Sequence, residues 1–175
     1  MIKTILIVLV VVVVAILIYA ATKPDTFVVQ RSAGVKAPPE RIFALISDFK
    51  AWPQWSPYEK RDPAMQRTLG GSAQGKGATY AWKGNSNVGE GSMEITEVIE
   101  PSRIVIKLDF VKPFAANNVA EFTLVPSGDT TQVTWSMRGQ SPYISKVFGV
   151  FVDMDNMIGK DFAEGLATLK ALAEK

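Results

Sequence analysis

The sequence predicts an α+β domain in which an antiparallel meander is covered by a long C-terminal helix, with one apolar helix ahead of it. Three observations predict this. From Met65 to Arg138, short alternating runs are punctuated by glycine, proline, asparagine and aspartate, the pattern of strands joined by tight turns. Beyond Asn156 the apolar period changes to that of a helix, with Ile158, Phe162, Leu166, Leu169 and Leu172 on one stripe. Between Lys3 and Lys23 there is no charged side chain at all.

The uncharged stretch, residues 4–22, would span about 28 Å as a helix, close to the thickness of a bilayer's hydrocarbon core. A cleaved signal peptide needs small residues at positions −1 and −3. Ile18-Tyr19-Ala20 and Tyr19-Ala20-Ala21 both place a bulky residue at −3. An uncleaved single-pass anchor over residues 1–23 is therefore preferred, with membrane contact through residues 4–22. Lys3 on one side and Lys23 on the other nearly balance the positive-inside rule. A short basic N-terminal tail favours a cytoplasmic amino terminus, so residues 24–175 are expected on the extracytoplasmic side.

Residues 24–175 suit one domain with a sizeable core. The 19 Lys and Arg of the chain less Lys3 and Lys23 leave 17, equal to the 17 Asp and Glu. A balanced domain without a basic run argues against nucleic acid as a partner. With no cysteine, folding does not depend on redox compartment. With no histidine either, Ser-His-Asp and Cys-His catalysis and the usual zinc sites are excluded. The Gly70–Gly77 stretch lacks the lysine-serine ending of a phosphate-binding loop. Nothing calls for a cofactor or a metal.

The elements follow in order. Thr26 to Val35 is extended in character. Ala37-Pro38-Pro39-Glu40 starts a helix, because proline is tolerated in a first turn, and Ile42, Phe43, Leu45 and Ile46 form its apolar stripe up to Ser47-Asp48. DFKAWPQWSPY (48–58) holds two of the four tryptophans, stiffened by Pro53 and Pro57. Strands are expected near 66–69, 78–83, 91–100, 103–111, 117–125 and 131–138. Residues 142–152, PYISKVFGVFV, are apolar enough to be covered by another element.

Taken in order, PPERIFALISD with WPQWSPY, GKGATYAWKGN with GEGSMEITEVIEPSRIVIKLDF, and DTTQVTWSMRG with MIGKDFAEGLATLKALAE resemble the START-like superfamily. This group is also called Bet v 1-like or SRPBCC, and the chain is most similar to its bacterial polyketide cyclase/dehydrase-like members. The resemblance covers residues 26–174. It implies a helix-grip fold, a seven-stranded sheet wrapped around the last helix with two short helices closing one end. It also implies an elongated apolar cavity for a lipid, sterol, polyketide or similar molecule.

In that setting the aromatic residues carry the functional interest, since Trp and Tyr pair a large apolar surface with one polar handle. The expected ligand-lining set is Trp55, Tyr80, Trp82, Phe110, Phe122, Trp135, Met137, Phe162 and Leu166, with core filling as the competing role. Trp55 is expected to pack inward, and Trp52 to cover the helix junction. Glu90, Glu94, Asp109 and Glu121 are candidate carboxylates, each expected to face solvent. Arg138 is expected at the surface and Asp48 in a turn. No catalytic residue is identified. The preferred function is binding of a hydrophobic small molecule or lipid by a membrane-anchored domain. One alternative is a cyclase or dehydratase, which requires an inward carboxylate or tyrosine with a shifted pKa. The other is a non-catalytic envelope interaction module with a filled interior and an exposed apolar patch at 142–152.

Overall fold

A computed structural model describes residues 1–175. Its elements are α1 (Ile2–Ala21), β1 (Thr26–Val35), α2 (Pro39–Ser47), a 3₁₀ segment (Phe49–Gln54), α3 (Pro57–Arg61), β2 (Gln66–Gly71), β3 (Ala78–Lys83), β4 (Glu90–Ile99), β5 (Arg103–Lys112), β6 (Ala116–Ser127), β7 (Thr130–Gln140), α4 (Tyr143–Phe148) and α5 (Met154–Ala173).

The strands form one antiparallel seven-stranded sheet in the order β1-β7-β6-β5-β4-β3-β2. Strands β2 to β7 make a meander, and β1 closes onto β7. Because side chains alternate along each strand, register alone lines up an inner row. Arg31 pairs with Trp135, Trp135 with Phe122, and Phe122 with Ile104.

Two groups of helices divide the concave face. α5 packs along β1 and β7, α2 lies over β6 and the 3₁₀ segment over β3, with α3 packed between the 3₁₀ segment and α5. The buried residues of α5 are Gly159, Asp161, Phe162, Gly165, Leu166, Leu169 and Ala173; of the stripe its period predicts, Phe162, Leu166 and Leu169 are buried and Ile158 and Leu172 are half-buried at its ends. The glycines sit against side chains that leave no room for a Cβ. A Cβ on Gly165 would lie 2.8 Å from the Trp135 ring, and one on Gly159 2.0 Å from the Arg31 guanidinium.

The end of α2 explains the tryptophan-rich segment. A helix leaves its last carbonyls without internal partners, and α2 has no C-terminal glycine to turn the chain back over them. The indole N–H groups take that role: Trp52 Nε1 donates to the Ile46 carbonyl at 2.9 Å and Trp55 Nε1 to the Leu45 carbonyl at 3.0 Å. Asp48 forms the turn between them, accepting from the Lys50 N–H.

Two expectations are corrected. Trp52 spans the helix junction as expected, but its ring is also buried in the core beside Trp55. Residues 142–152 are not covered. Ile144, Phe148, Phe151 and Val152 are exposed, because α4 packs against the end of α1 and only Lys146 of that helix is buried. α1 itself lies almost wholly free of the domain, with Ala20 its one buried residue. It is the one helix long and apolar enough to cross a membrane.

Candidate functional site: an aromatic interior

The interior is built around Trp135. Phe122 stacks on one side of its indole with centroids 4.9 Å apart and planes 28° apart. Phe162 of α5 stacks on it at 4.1 Å and 8°. Trp55 meets both Trp135 and Phe122 edge-on, at 5.8 and 6.0 Å. From there the contacts run on through Trp52, Phe49, Tyr80 and Trp82 to Phe110, every step under 6.5 Å between centroids. Edge-on and offset arrangements are favoured by the ring quadrupole.

This chain of rings brings together most of the residues named from sequence. Trp55, Tyr80, Phe122, Trp135, Met137, Phe162 and Leu166 belong to one buried cluster, with Trp82 packed against it. Phe110 is half-buried and reaches the group through Trp82. Two polar atoms inside have no hydrogen-bond partner: Trp135 Nε1 and Asn118 Oδ1. Asn118 was not singled out from sequence, although it shares the strand parity of Ala120, Phe122 and Leu124, which are all buried.

Two ionic clusters at the edge of this interior also escaped the sequence reading, because the partners of Glu59 and Asp161 lie on other elements of the fold. Glu59 is buried and uses both carboxylate oxygens. It accepts from the Tyr80 hydroxyl at 2.5 Å and from Arg67 Nε at 2.6 Å, while Arg67 Nη1 donates to the Met65 carbonyl. Burial pushes the Tyr80 hydroxyl well above the ordinary tyrosine range, and the bond to Glu59 adds to this. The Glu59 bond likewise raises Arg67. In the second cluster, Asp161 of α5 pairs with Arg61. Burial, and then the Asp161 charge, push the Tyr58 hydroxyl far up.

The candidate carboxylates lie on the opposite, convex face. Glu90 pairs with Lys112, Asp109 with Lys107 and Asn117, and Glu121 with Arg103 and Arg138, while Glu94 is exposed. Hydrogen bonds from Arg103, with Arg138 adding to them, hold Glu121 below the usual carboxylate range. A shallow groove of about 390 Å³ crosses this face beside Thr79, Ser92, Glu94, Lys107 and Asp109. A second of about 190 Å³ lies between the 3₁₀ segment and the β2–β3 hairpin. Neither opens between the sheet and α5. No three carboxylates converge on a point that would hold a metal ion.

A seven-stranded antiparallel sheet gripping a C-terminal helix around an aromatic interior defines a START-like, Bet v 1-like domain. Residues 26–174 match the family described as "Polyketide cyclase / dehydrase and lipid transport", and the chain belongs to it. No curated protein matches the sequence. Among solved structures, a Thermobifida fusca protein is 25% identical, with a TM-score of 0.61 over 82% of this chain and 90% of that one. The Aha1 dimer protein of Colwellia psychrerythraea is 16% identical, with a TM-score of 0.60 over 85% and 96% of the two chains. Major latex-like protein 151 of Panax ginseng is 15% identical, with a TM-score of 0.60 over 87% and 100%. These likenesses show the fold.

Proposed function

We propose that residues 24–175 bind a hydrophobic small molecule or lipid between the concave sheet and α5, and that residues 1–23 hold this domain at the extracytoplasmic face of a membrane. The observation that carries the reading is an aromatic interior that still contains two buried polar atoms without partners, Trp135 Nε1 and Asn118 Oδ1. An unmet buried donor or acceptor costs about 1–3 kcal/mol and calls for an explanation. A ligand with an apolar body and one polar group, such as a hydroxyl or carbonyl, would satisfy at least the indole. The family's description, which includes lipid transport, supports the same class of ligand. The Trp135–Phe162 stack occupies the middle of the space, so a ligand would enter by parting those rings.

A second reading is an interaction module with a filled interior. It is favoured by the tightness of that stack and by the exposed residues of 142–152. A cyclase or dehydratase would draw on Tyr80 and on the buried Glu59, whose two carboxylate oxygens are already taken by Tyr80 and Arg67. The shift in Tyr80 keeps the phenol protonated, which suits hydrogen-bond donation to a substrate and not proton abstraction. Its proton is already directed at Glu59.

The deciding experiment is native mass spectrometry of the full chain released from detergent, joined to displacement of an apolar fluorescent probe by lipids. The binding reading expects one co-purifying class of apolar molecule, and probe displacement that Asn118→Leu weakens. An empty chain that binds no probe would leave the filled module.

A further inference from the structure

We propose that α4 and the turn leading into α5 lie in the interfacial layer of the bilayer that α1 spans, as a second membrane contact. This rests on the reading of α1 as an anchor. From Pro142 to Val152 the only charged side chain is Lys146, and it is buried and paired with Asp25. The large side chains that face outward are apolar: Ile144 is 63% exposed, Phe148 55% and Phe151 70%. Ser145 is a small polar exception, and the exposed Asp153 and Asp155 at the start of α5 mark where this apolar surface ends. Ile144 and Phe148 are four residues apart and share one face of α4. An exposed apolar cluster of this kind marks an interaction surface.

The contacts to α1 say what covers it. The Tyr143 hydroxyl donates to the Leu17 carbonyl at 2.8 Å. Leu17 lies four residues before Ala21, so this bond is made about 6 Å inside the apolar helix. Lys23 donates to the Gly149 carbonyl, and the Lys146–Asp25 pair closes the junction from the other side. If α1 crosses a bilayer, α4 is therefore held at the depth of the headgroups and the first methylenes. Aromatic and aliphatic side chains above a tyrosine fit that layer. A second copy or a protein partner would have to share the same plane with lipid.

The chain has no cysteine, so single cysteines can be introduced for nitroxide labels. Leu9→Cys, Ile144→Cys, Phe148→Cys and Phe151→Cys are to be reconstituted as full chains in vesicles of phosphatidylcholine and phosphatidylglycerol. Val125→Cys is the control. Val125 is exposed, and it pairs with Gln132 at the end of the sheet remote from α1, where Val35 pairs with Thr131. Labels at 144, 148 and 151 are expected to be several-fold less accessible than the label at 125 to a water-soluble paramagnetic relaxer, and more accessible to oxygen. Accessibility equal to that at 125, with position 9 still in lipid, overturns the membrane contact and leaves the anchor standing. Protection accompanied by dipolar broadening between labels means a second copy covers the patch and also overturns it. A water-accessible label at position 9 removes the anchor and this proposal together.

Discussion

The Trp135 indole and the Phe162 ring lie 4.1 Å apart and 8° from parallel, so one residue of β7 and one of α5 close the centre of the interior. Both are buried, and Phe162→Ala would remove the outer leaf of the stack. The expected loss is about 3–5 kcal/mol, read as a lower urea midpoint. A loss below about 1 kcal/mol would mean that the rings already move apart in the unliganded domain.

The two glycines of α5 should respond differently. At Gly165 the added Cβ meets ring atoms of Trp135 and Pro57, which cannot turn away. Gly165→Ala is expected to destabilise by about 1–3 kcal/mol, despite alanine's better helix propensity. At Gly159 the obstacle is the end of a flexible arginine, Arg31, held by an exposed ion pair with Asp155. Losing that pair costs under about 1 kcal/mol, and the propensity gain of about 1 kcal/mol offsets it. Gly159→Ala is expected near neutral by thermal melting.

Glu59 ties α3 to β2 and β3 through Arg67 and Tyr80. Removing it leaves the buried Tyr80 hydroxyl without its acceptor, while Arg67 can turn to water, so Glu59→Ala is expected to cost about 1–3 kcal/mol. A double-mutant cycle with Tyr80→Phe should show a coupling of about 1–2 kcal/mol. Additive effects would mean that the Tyr80 hydroxyl is satisfied elsewhere.

Alkaline pH should act through the same tyrosine and through Tyr58. Both hydroxyls are raised in the folded state. Their contribution is complete below the ordinary tyrosine pKa of about 10 and falls as pH rises beyond it, since only the unfolded chain then releases the protons. Tyr80→Phe with Tyr58→Phe should flatten the alkaline arm of the stability curve.

Acid pH should act through Glu121, whose pKa is lowered by Arg103 and then Arg138. A lowered carboxylate stabilises above its unfolded pKa of about 4.3 and loses that contribution as pH falls through the folded value. Glu121→Gln is expected to cost about 1 kcal/mol at neutral pH, and its deficit should vanish in acid.

Strand alternation made the meander legible. Ile104, Ile106, Leu108 and Phe110 share a parity opposite to Lys107 and Asp109, and the stripe of α5 was visible as Phe162, Leu166 and Leu169. The ring set was legible for the same reason, because parity and helical phase are local properties of the chain. Glu59, Arg67 and Asp161 were not legible. Nothing in PYEKR distinguishes a surface loop from a turn pressed against β3, and a buried charge is recognised by its partner, which lies elsewhere in sequence.

Local pattern in the chain was enough for the apolar N-terminal helix, the seven strands, the phase of α5 and the absence of histidine or cysteine chemistry. It took the packed fold to show that both Trp52 and Trp55 fill the centre while capping α2. The same holds for the two rings stacked on Trp135 and for the exposed side chains of 142–152 beside α1. Local pattern fixes which side of an element is apolar. What that side meets, and whether anything meets it at all, depends on elements brought together from distant parts of the chain.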